Sequence, residues 1–376
     1  MKIVYVLENY LPHIGGVEIL FKHICENIAK KHKVVVITHR LPGTKKQEII
    51  NNVRIIRVNV PKIGSRYFFT FLAIPTILKE AKNADLIHTT TYNGAPPAYL
   101  VSRFLKKPCL INIHEVIGND WMKLFEKKII SAKLHQILER IIVKLKFTRY
   151  VFISKSTANN FKKINKSKNY DIIYCGIDYH FWNKKKYNGN VIRKKIGLEN
   201  EFIYLFYGRP GPSKGFENLL NAVKYVSKEI PNSKLVAILS KDKAYQKRYK
   251  NIIKEIKRQK IEKSVMILEP VKWDNLPNYV VMADCVVVPS LTEGFGFSVA
   301  ESCALGKKVV ASNTTSIPEV ISGNYKLVKP GDSKDIAKGI IDMYNGKSKK
   351  TKLKKFLWDD CIEDYEKLYN KLIQKK

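Results

Sequence analysis

The chain has 376 residues, 45% hydrophobic and 27% charged, a globular composition that argues against disorder and suits two domains with cores of their own. Its six cysteines, at 25, 109, 175, 285, 303 and 361, form no C-x-x-C pair and sit in apolar runs, which speaks against a disulfide framework or a zinc site and for a reducing compartment. The formal charge of +35 invites a nucleic-acid or anionic-membrane partner, yet residues 1–180 carry 30 basic and 12 acidic side chains and the remainder 38 and 21, so no basic arm concentrates it and a general lysine bias explains it as well.

In chain order, β-branched runs recur at 2–7, 33–40, 53–60, 84–91, 107–115, 149–156 and 171–178, with helix-like segments such as 17–31 and 121–146 between them. Nearly continuous apolar strands of this kind belong to parallel sheets covered on both faces, and the alternation predicts a doubly wound α/β domain. A polar, basic stretch with turn residues, 181–200, reads as a linker. The pattern then restarts at 201–207, 233–240, 264–270, 283–290 and 307–312, and an amphipathic tail, 356–374, reads as a helix that must pack on something. The run from Ile3 to Leu7 is too short for a signal-peptide core, and 68–78 is broken by Thr70, Pro75 and Thr76; the expectation is a cytoplasmic protein, peripheral at most on the inner face of a membrane.

Ligands of open α/β sheets sit beyond the carboxyl ends of the strands, so the loops there carry the chemistry. After the first strand comes ENYLPHIGGVE, whose Gly15-Gly16 pair opens a helix and allows backbone to approach an anion; a plain tight turn accounts for it equally. GRPGPSKGFENLL puts Arg209 and Lys214 between strand and helix. It is not a Walker loop, because Ser213 stands where the second glycine belongs and Gly215 follows Lys214, but two cations at a helix start suit a diphosphate. In PSLTEGFGFSVAES, Ser298 and Glu301 have the spacing of a capping box, which would occupy Glu301 without a ligand. Glu293 lacks such a local partner and precedes the turn Gly294-Phe295-Gly296. His114 ends the strand at 107–115. No H-E-x-x-H, G-x-S-x-G or metal triad is present, and Asp359-Asp360 reads as a solvated pair on the terminal helix.

Taken together these loops resemble the retaining glycosyltransferases of family 4, with the GT-B fold. LPHIGGVE resembles the family's glycine loop, VFISKSTANNF its strand ending in Ser-Lys-Ser, and YCGIDYHFW its inter-domain segment. FYGRPGPSKGFENLL resembles the Gly-Arg…Lys-Gly loop, and VPSLTEGFGFSVAESCALGKKVVAS with SIPEVI the specific Glu-x7-Glu region. The resemblance implies an acceptor-side domain, 1–182, completed by the helix 356–376, and a donor-side domain, 200–355. It implies that Arg209 and Lys214 hold the diphosphate of a nucleotide-sugar and that Gly15 and Gly16 approach it. Glu301 would bind ribose, and Glu293 with the backbone of Gly294, Phe295, Gly296 and Phe297 would bind the sugar. His114 would lie beside the sugar and the acceptor. It implies a UDP- or GDP-sugar donor, a lipid-linked or saccharide acceptor, no cofactor and no metal. Cys175, Glu269-Pro270, Lys308 and Asn313-Thr314-Thr315-Ser316 depart from the family's usual residues.

Two readings compete with transfer: a sugar-nucleotide epimerase or hydrolase on the same fold, and a basic protein that binds RNA or an anionic surface. Nucleic acid is the weaker partner. The segment 121–149 carries eight basic and two acidic side chains and an apolar stripe through Leu134, Ile137, Leu138, Ile141 and Leu145. An ordinary covering helix buries that stripe on the sheet; alternatively the basic face rests on an anionic leaflet.

Overall fold

The computed structural model describes residues 1–376 except 14, 62–63, 125–128, 242–244 and 375–376. The chain divides into two compact units, Met1–Gly176 with Phe356–Lys376, and Ile177–Lys355. The segment 181–200 is therefore not a free linker. It contributes the helix Gly189–Ile196 to the second unit, where Arg193 bonds the Met282 carbonyl at 2.7 Å and pairs with Asp284 at 2.6 Å.

In the first unit eight strands run β1 (Lys2–Val6), β2 (Lys33–His39), β3 (Gln47–Ile50), β4 (Val53–Val58), β5 (Leu86–Thr90), β6 (Cys109–Ile113), β7 (Arg149–Phe152) and β8 (Tyr170–Ile172). Their order is β3-β4-β2-β1-β5-β6-β7-β8, parallel except for β3 against β4. The β-branched, continuously apolar strands occupy the middle of the sheet, where helices cover both faces. Because side chains alternate along a strand, Val4 and Val6 face a core with Phe69, Ile77, Ala98 and Ile142, while Tyr5, His88 and Asn112 face the opposite layer.

That second layer holds the terminal helix Trp358–Gln374 through a buried polar chain. Tyr5 and Tyr369 hydroxyls lie 3.0 Å apart, Tyr369 lies 2.8 Å from His88 Nδ1, His88 Nε2 lies 2.7 Å from Asn112 Oδ1, and Asn112 Nδ2 donates to the Tyr365 hydroxyl at 2.5 Å. One proton arrangement satisfies all four contacts: His88 donates from Nε2, accepts at Nδ1 from Tyr369, and Tyr369 accepts from Tyr5. Burial pushes the His88 imidazole down to about 3, with the Asn112 bond opposing it and His114 adding to it.

Helix Ile129–Lys144 departs from the covering-helix expectation; of the predicted helix 121–146, residues 125–128 lie outside the described set. Ala132, Glu139, Ile142 and Val143 face the core, while Leu134, Ile137 and Ile141 point outward. Glu139 explains the rotation. Its carboxylate accepts from the N–H groups of Ile117 at 2.8 Å and Gly118 at 2.7 Å, so the helix turns this acid inward to hold the loop after β6.

The second unit has β9 (Phe202–Gly208), β10 (Ser233–Leu239), β11 (Val265–Leu268), β12 (Cys285–Val288), β13 (Lys308–Ser312), β14 (Asn324–Val328) and β15 (Lys349–Lys350), ordered β11-β10-β9-β12-β13-β14-β15 with only β15 antiparallel. The chain leaves β9 toward β10 and β11, then returns to β12 on its other side. That reversal opens a crevice at the carboxyl ends of β9 and β12, and the first unit has its own between β1 and β5.

Candidate active site

The crevice of the second unit is lined by the loop after β9, with Arg209 and Lys214, and the loop after β12, with Glu293. Lys214 Nζ reaches Glu293 Oε1 at 2.6 Å, and Ser290 Oγ donates to the same oxygen at 2.8 Å. Glu293 Oε2 has no hydrogen-bond partner among the described residues. The two loops are locked together by the Leu291 N–H, which donates to the Ser213 carbonyl at 2.7 Å. Gly215 permits this contact: it has φ +63°, and a Cβ there would sit 2.0 Å from the Pro289 carbonyl oxygen. Arg209 is exposed, and its guanidinium has no partner among the described residues. An exposed cation in the same loop as one fixed on a carboxylate gives this loop the charge an anion would need.

The residues Thr314, Thr315 and Ser316, ahead of Pro318-Glu319, fasten the Glu293 turn from behind. Thr315 Oγ1 accepts from the Glu293 N–H at 2.8 Å, Ser316 Oγ bonds the carbonyls of Glu293 at 3.0 Å and Phe295 at 2.9 Å, and Thr314 Oγ1 bonds the Leu291 carbonyl at 3.0 Å. Thr315 does so at φ +41°, a region a β-branched residue rarely enters. Sequence reading saw this segment only as a departure; a run of hydroxyl side chains beside a glycine turn was the available signal. Glu269, another departure, pairs with Lys241.

Glu301 is not a capping residue. Helix Phe297–Ala304 starts from Gly296 at φ +96°, with no side-chain cap; the Val299 and Ala300 N–H groups donate to the Gly296 carbonyl at 3.0 and 3.1 Å, so Ser298 already lies inside the helix. Glu301 is instead 3% exposed and meets Tyr207, a residue the sequence reading missed. The Tyr207 hydroxyl lies 3.1 Å from Glu301 Oε2, 2.9 Å from the Ser298 carbonyl and 3.3 Å from Ser302 Oγ. Burial pushes the Glu301 carboxyl up to about 8, against the downward pull of the Tyr207 bond and the Lys214 charge. A protonated Glu301 can donate to Tyr207 while Tyr207 donates to Ser298; an ionised one accepts the Tyr207 hydrogen bond instead.

On the first unit, Gly15 caps the helix Gly16–Ile28 without a side-chain bond. Arg57, buried on β4, braces the loop ahead of it by donating to the Leu11 carbonyl at 2.9 Å and to the Lys45 carbonyl at 3.1 Å. His114 follows β6 directly. Its Nε2 is buried with no hydrogen-bond partner among the described residues. Burial pushes the ring down to about 4, with Glu18 opposing it, so a neutral imidazole with an unfilled nitrogen results.

Both halves of the chain match known families. The model for Glycosyltransferase Family 4 matches residues 14–181, and the model for Glycosyl transferases group 1 matches residues 189–356. The chain is a family 4 glycosyltransferase. It is 26% identical to an uncharacterized glycosyltransferase of Methanocaldococcus jannaschii, over 96% of each chain. Over 69% of this glycosyltransferase and 64% of the other, it is 25% identical to the Escherichia coli UDP-Gal:alpha-D-GlcNAc-diphosphoundecaprenol alpha-1,3-galactosyltransferase. The crystal structure of Anabaena HepE in complex with UDP-glucose superposes with a TM-score of 0.75 at 17% identity, covering 100% of this chain and 98% of that one, which identifies the fold as GT-B.

Proposed function

We propose that this glycosyltransferase moves a hexose from a nucleotide-sugar, UDP- or GDP-linked, to a lipid-linked or saccharide acceptor, retaining the anomeric configuration and needing no metal. The observation that carries the reading is the meeting of Lys214 and Glu293 at 2.6 Å in the β9/β12 crevice, with Arg209 exposed in the same loop as Lys214 and Glu301 buried nearby. In this reading Arg209 and Lys214 bind the donor diphosphate and stabilise the negative charge that grows on it as the bond to the anomeric carbon breaks. Lys214 keeps donors to spare while it holds Glu293. Glu293 Oε2 and the backbone of Gly294–Phe297 take sugar hydroxyls, and Glu301 takes those of the ribose. On the first unit, the reading gives the Gly15–Gly16 turn an anion and His114 Nε2 a sugar hydroxyl.

Anabaena HepE holds UDP-glucose in its crystal structure and the E. coli relative is named for a diphosphoundecaprenol acceptor; these support the donor and acceptor classes without choosing within them. The deciding experiment incubates the protein with a panel of UDP- and GDP-sugars and with isoprenoid-diphosphate and polysaccharide acceptors, following nucleotide release and the product anomer by NMR. Acceptor-dependent release with an anomer matching the donor is expected. Release of free sugar or an epimer alone would favour the hydrolase or epimerase reading, and an inverted product would overturn retention.

A further inference from the structure

The outward face of helix Ile129–Lys144 is chemically unusual. Its exposed positions are Ile129, Ile130, Leu134, Ile137 and Ile141, with Lys133, Arg140 and Lys144 between them, and Ile130 is 86% exposed. The helix's one acidic residue, Glu139, is turned inward. Isolated exposed aliphatics are ordinary on protein surfaces, but five on one helical face among cations are not. The same side of the sheet carries a second such region. Helix Ser65–Leu72 exposes Tyr67, Phe68, Phe71 and Leu72, and the neighbouring helix Ala95–Phe104 exposes Leu100 and Phe104, with Arg103 beside them. Both regions belong to the helix layer packed on one core, so they look outward from the same layer.

We propose that this layer of the first unit is a docking surface for an anionic lipid bilayer. Large apolar side chains among lysines and arginines are the pattern of a helix lying in the interface: the apolar groups enter the acyl boundary while the cations reach the headgroups. No helix among the described residues is long and apolar enough to cross a membrane. A second copy of the chain fits the face less well, because a two-fold contact would press one copy's cation-bearing face, with Lys133, Arg140 and Lys144, against the same face of the other. The docking surface shares no residue with the donor crevice and stands apart from the proposed reaction.

The test is flotation with vesicles of phosphatidylcholine alone and of phosphatidylcholine mixed with phosphatidylglycerol, at low and high salt. Wild type is expected to float with the anionic vesicles and to be released by salt. Ile130→Asp with Ile137→Asp, and separately Lys133→Glu with Lys144→Glu, should each lower partition by roughly tenfold or more, since one basic residue at an anionic surface is worth about fivefold in affinity. Both double variants change exposed positions and should keep the wild-type melting temperature and UDP affinity. Binding to neither vesicle, equal binding to both, or full binding by the aliphatic variant would each overturn the proposal. So would a concentration-dependent dimer abolished by the aliphatic variant without lipid.

Discussion

Replacing Glu301 by Gln separates what this carboxyl does for folding from what it does for a ligand, because the two effects have opposite signs. Its pKa rises from 4.5 to about 8 chiefly through burial. The folded state therefore keeps a proton that the unfolded state has released between these two values, and folding loses stability as pH climbs through that window. At about 1.36 kcal/mol per pH unit, the penalty at pH 7 is about 3 kcal/mol, and it vanishes near pH 4.5. Gln carries no such penalty and still offers Tyr207 a donor or an acceptor. Urea unfolding at pH 5 and pH 8 is the assay: Glu301→Gln should match wild type within about 1 kcal/mol at the lower pH and exceed it by a few kcal/mol at the higher one. In the pH 8 sample, where the carboxyl is partly ionised, its affinity for UDP or GDP should fall by about 1–3 kcal/mol, the range for hydrogen bonds to a charged group. A stability difference that does not change with pH would refute the buried-acid argument. Unchanged nucleotide affinity would remove Glu301 from the donor site.

Lys214→Met should lower turnover about 10²-fold, the scale of losing one preorganised charge donor, and should also cost about 1–3 kcal/mol in urea unfolding, because Glu293 is left in its buried place with Ser290 alone. Steady-state nucleotide release and a denaturation curve check both, and a fully active variant would return the loop to a solvated turn. His88→Gln should remove an acid sensitivity. With the imidazole pushed down to about 3, the unfolded state binds the extra proton below about pH 6.5, so wild type loses roughly 1.4 kcal/mol per pH unit as pH falls, and the variant should gain that amount relative to it between pH 6 and 4.

Most of the sheet was legible because central parallel strands must be apolar on both faces, and runs such as Cys285–Val288 admit no other reading. Some strands at or beside the edges were not. Of the strands missed, Gln47–Ile50 and Lys349–Lys350 lie at sheet edges and Asn324–Val328 lies next to one; they alternate or are plainly polar, since an edge needs burial on one face at most, whereas the edge strands Tyr170–Ile172 and Val265–Leu268 fell on runs the sequence showed. Helix Ile129–Lys144 shows a different limit. Periodicity located its apolar stripe but could not say which face the sheet would take, and one buried acid bonded to two backbone N–H groups settled the orientation against the stripe. The candidate residues Glu293, Arg209 and Lys214 stood out in the sequence, because loop residues at strand ends have few structural reasons to be charged, and the structure brings Lys214 and Glu293 together. Tyr207 was hidden inside an apolar strand, and the His88 chain joins residues 281 apart that no local pattern connects.

Two glutamates eight residues apart have thus been given unlike surroundings by one turn. Glu293 precedes the glycine turn and meets a lysine from the neighbouring loop, so its negative charge has a fixed counterpart and one oxygen to spare. Glu301 follows the turn, inside a helix that starts two residues before Ser298 could have capped it, and burial leaves it a phenol for company. Environments that treat paired carboxyls so differently separate their roles. In the proposed reaction a permanently paired carboxylate suits the sugar, where charge develops at the anomeric carbon, because its position does not change as the bond breaks. A buried carboxyl whose proton is held near neutrality suits a diol that arrives with the ligand, because hydroxyl donors replace what burial removed. Gly296 decides between the two: with a residue that favoured a later helix start, Ser298 would become the cap, Glu301 would turn back toward it, and the second carboxyl would be lost to the crevice.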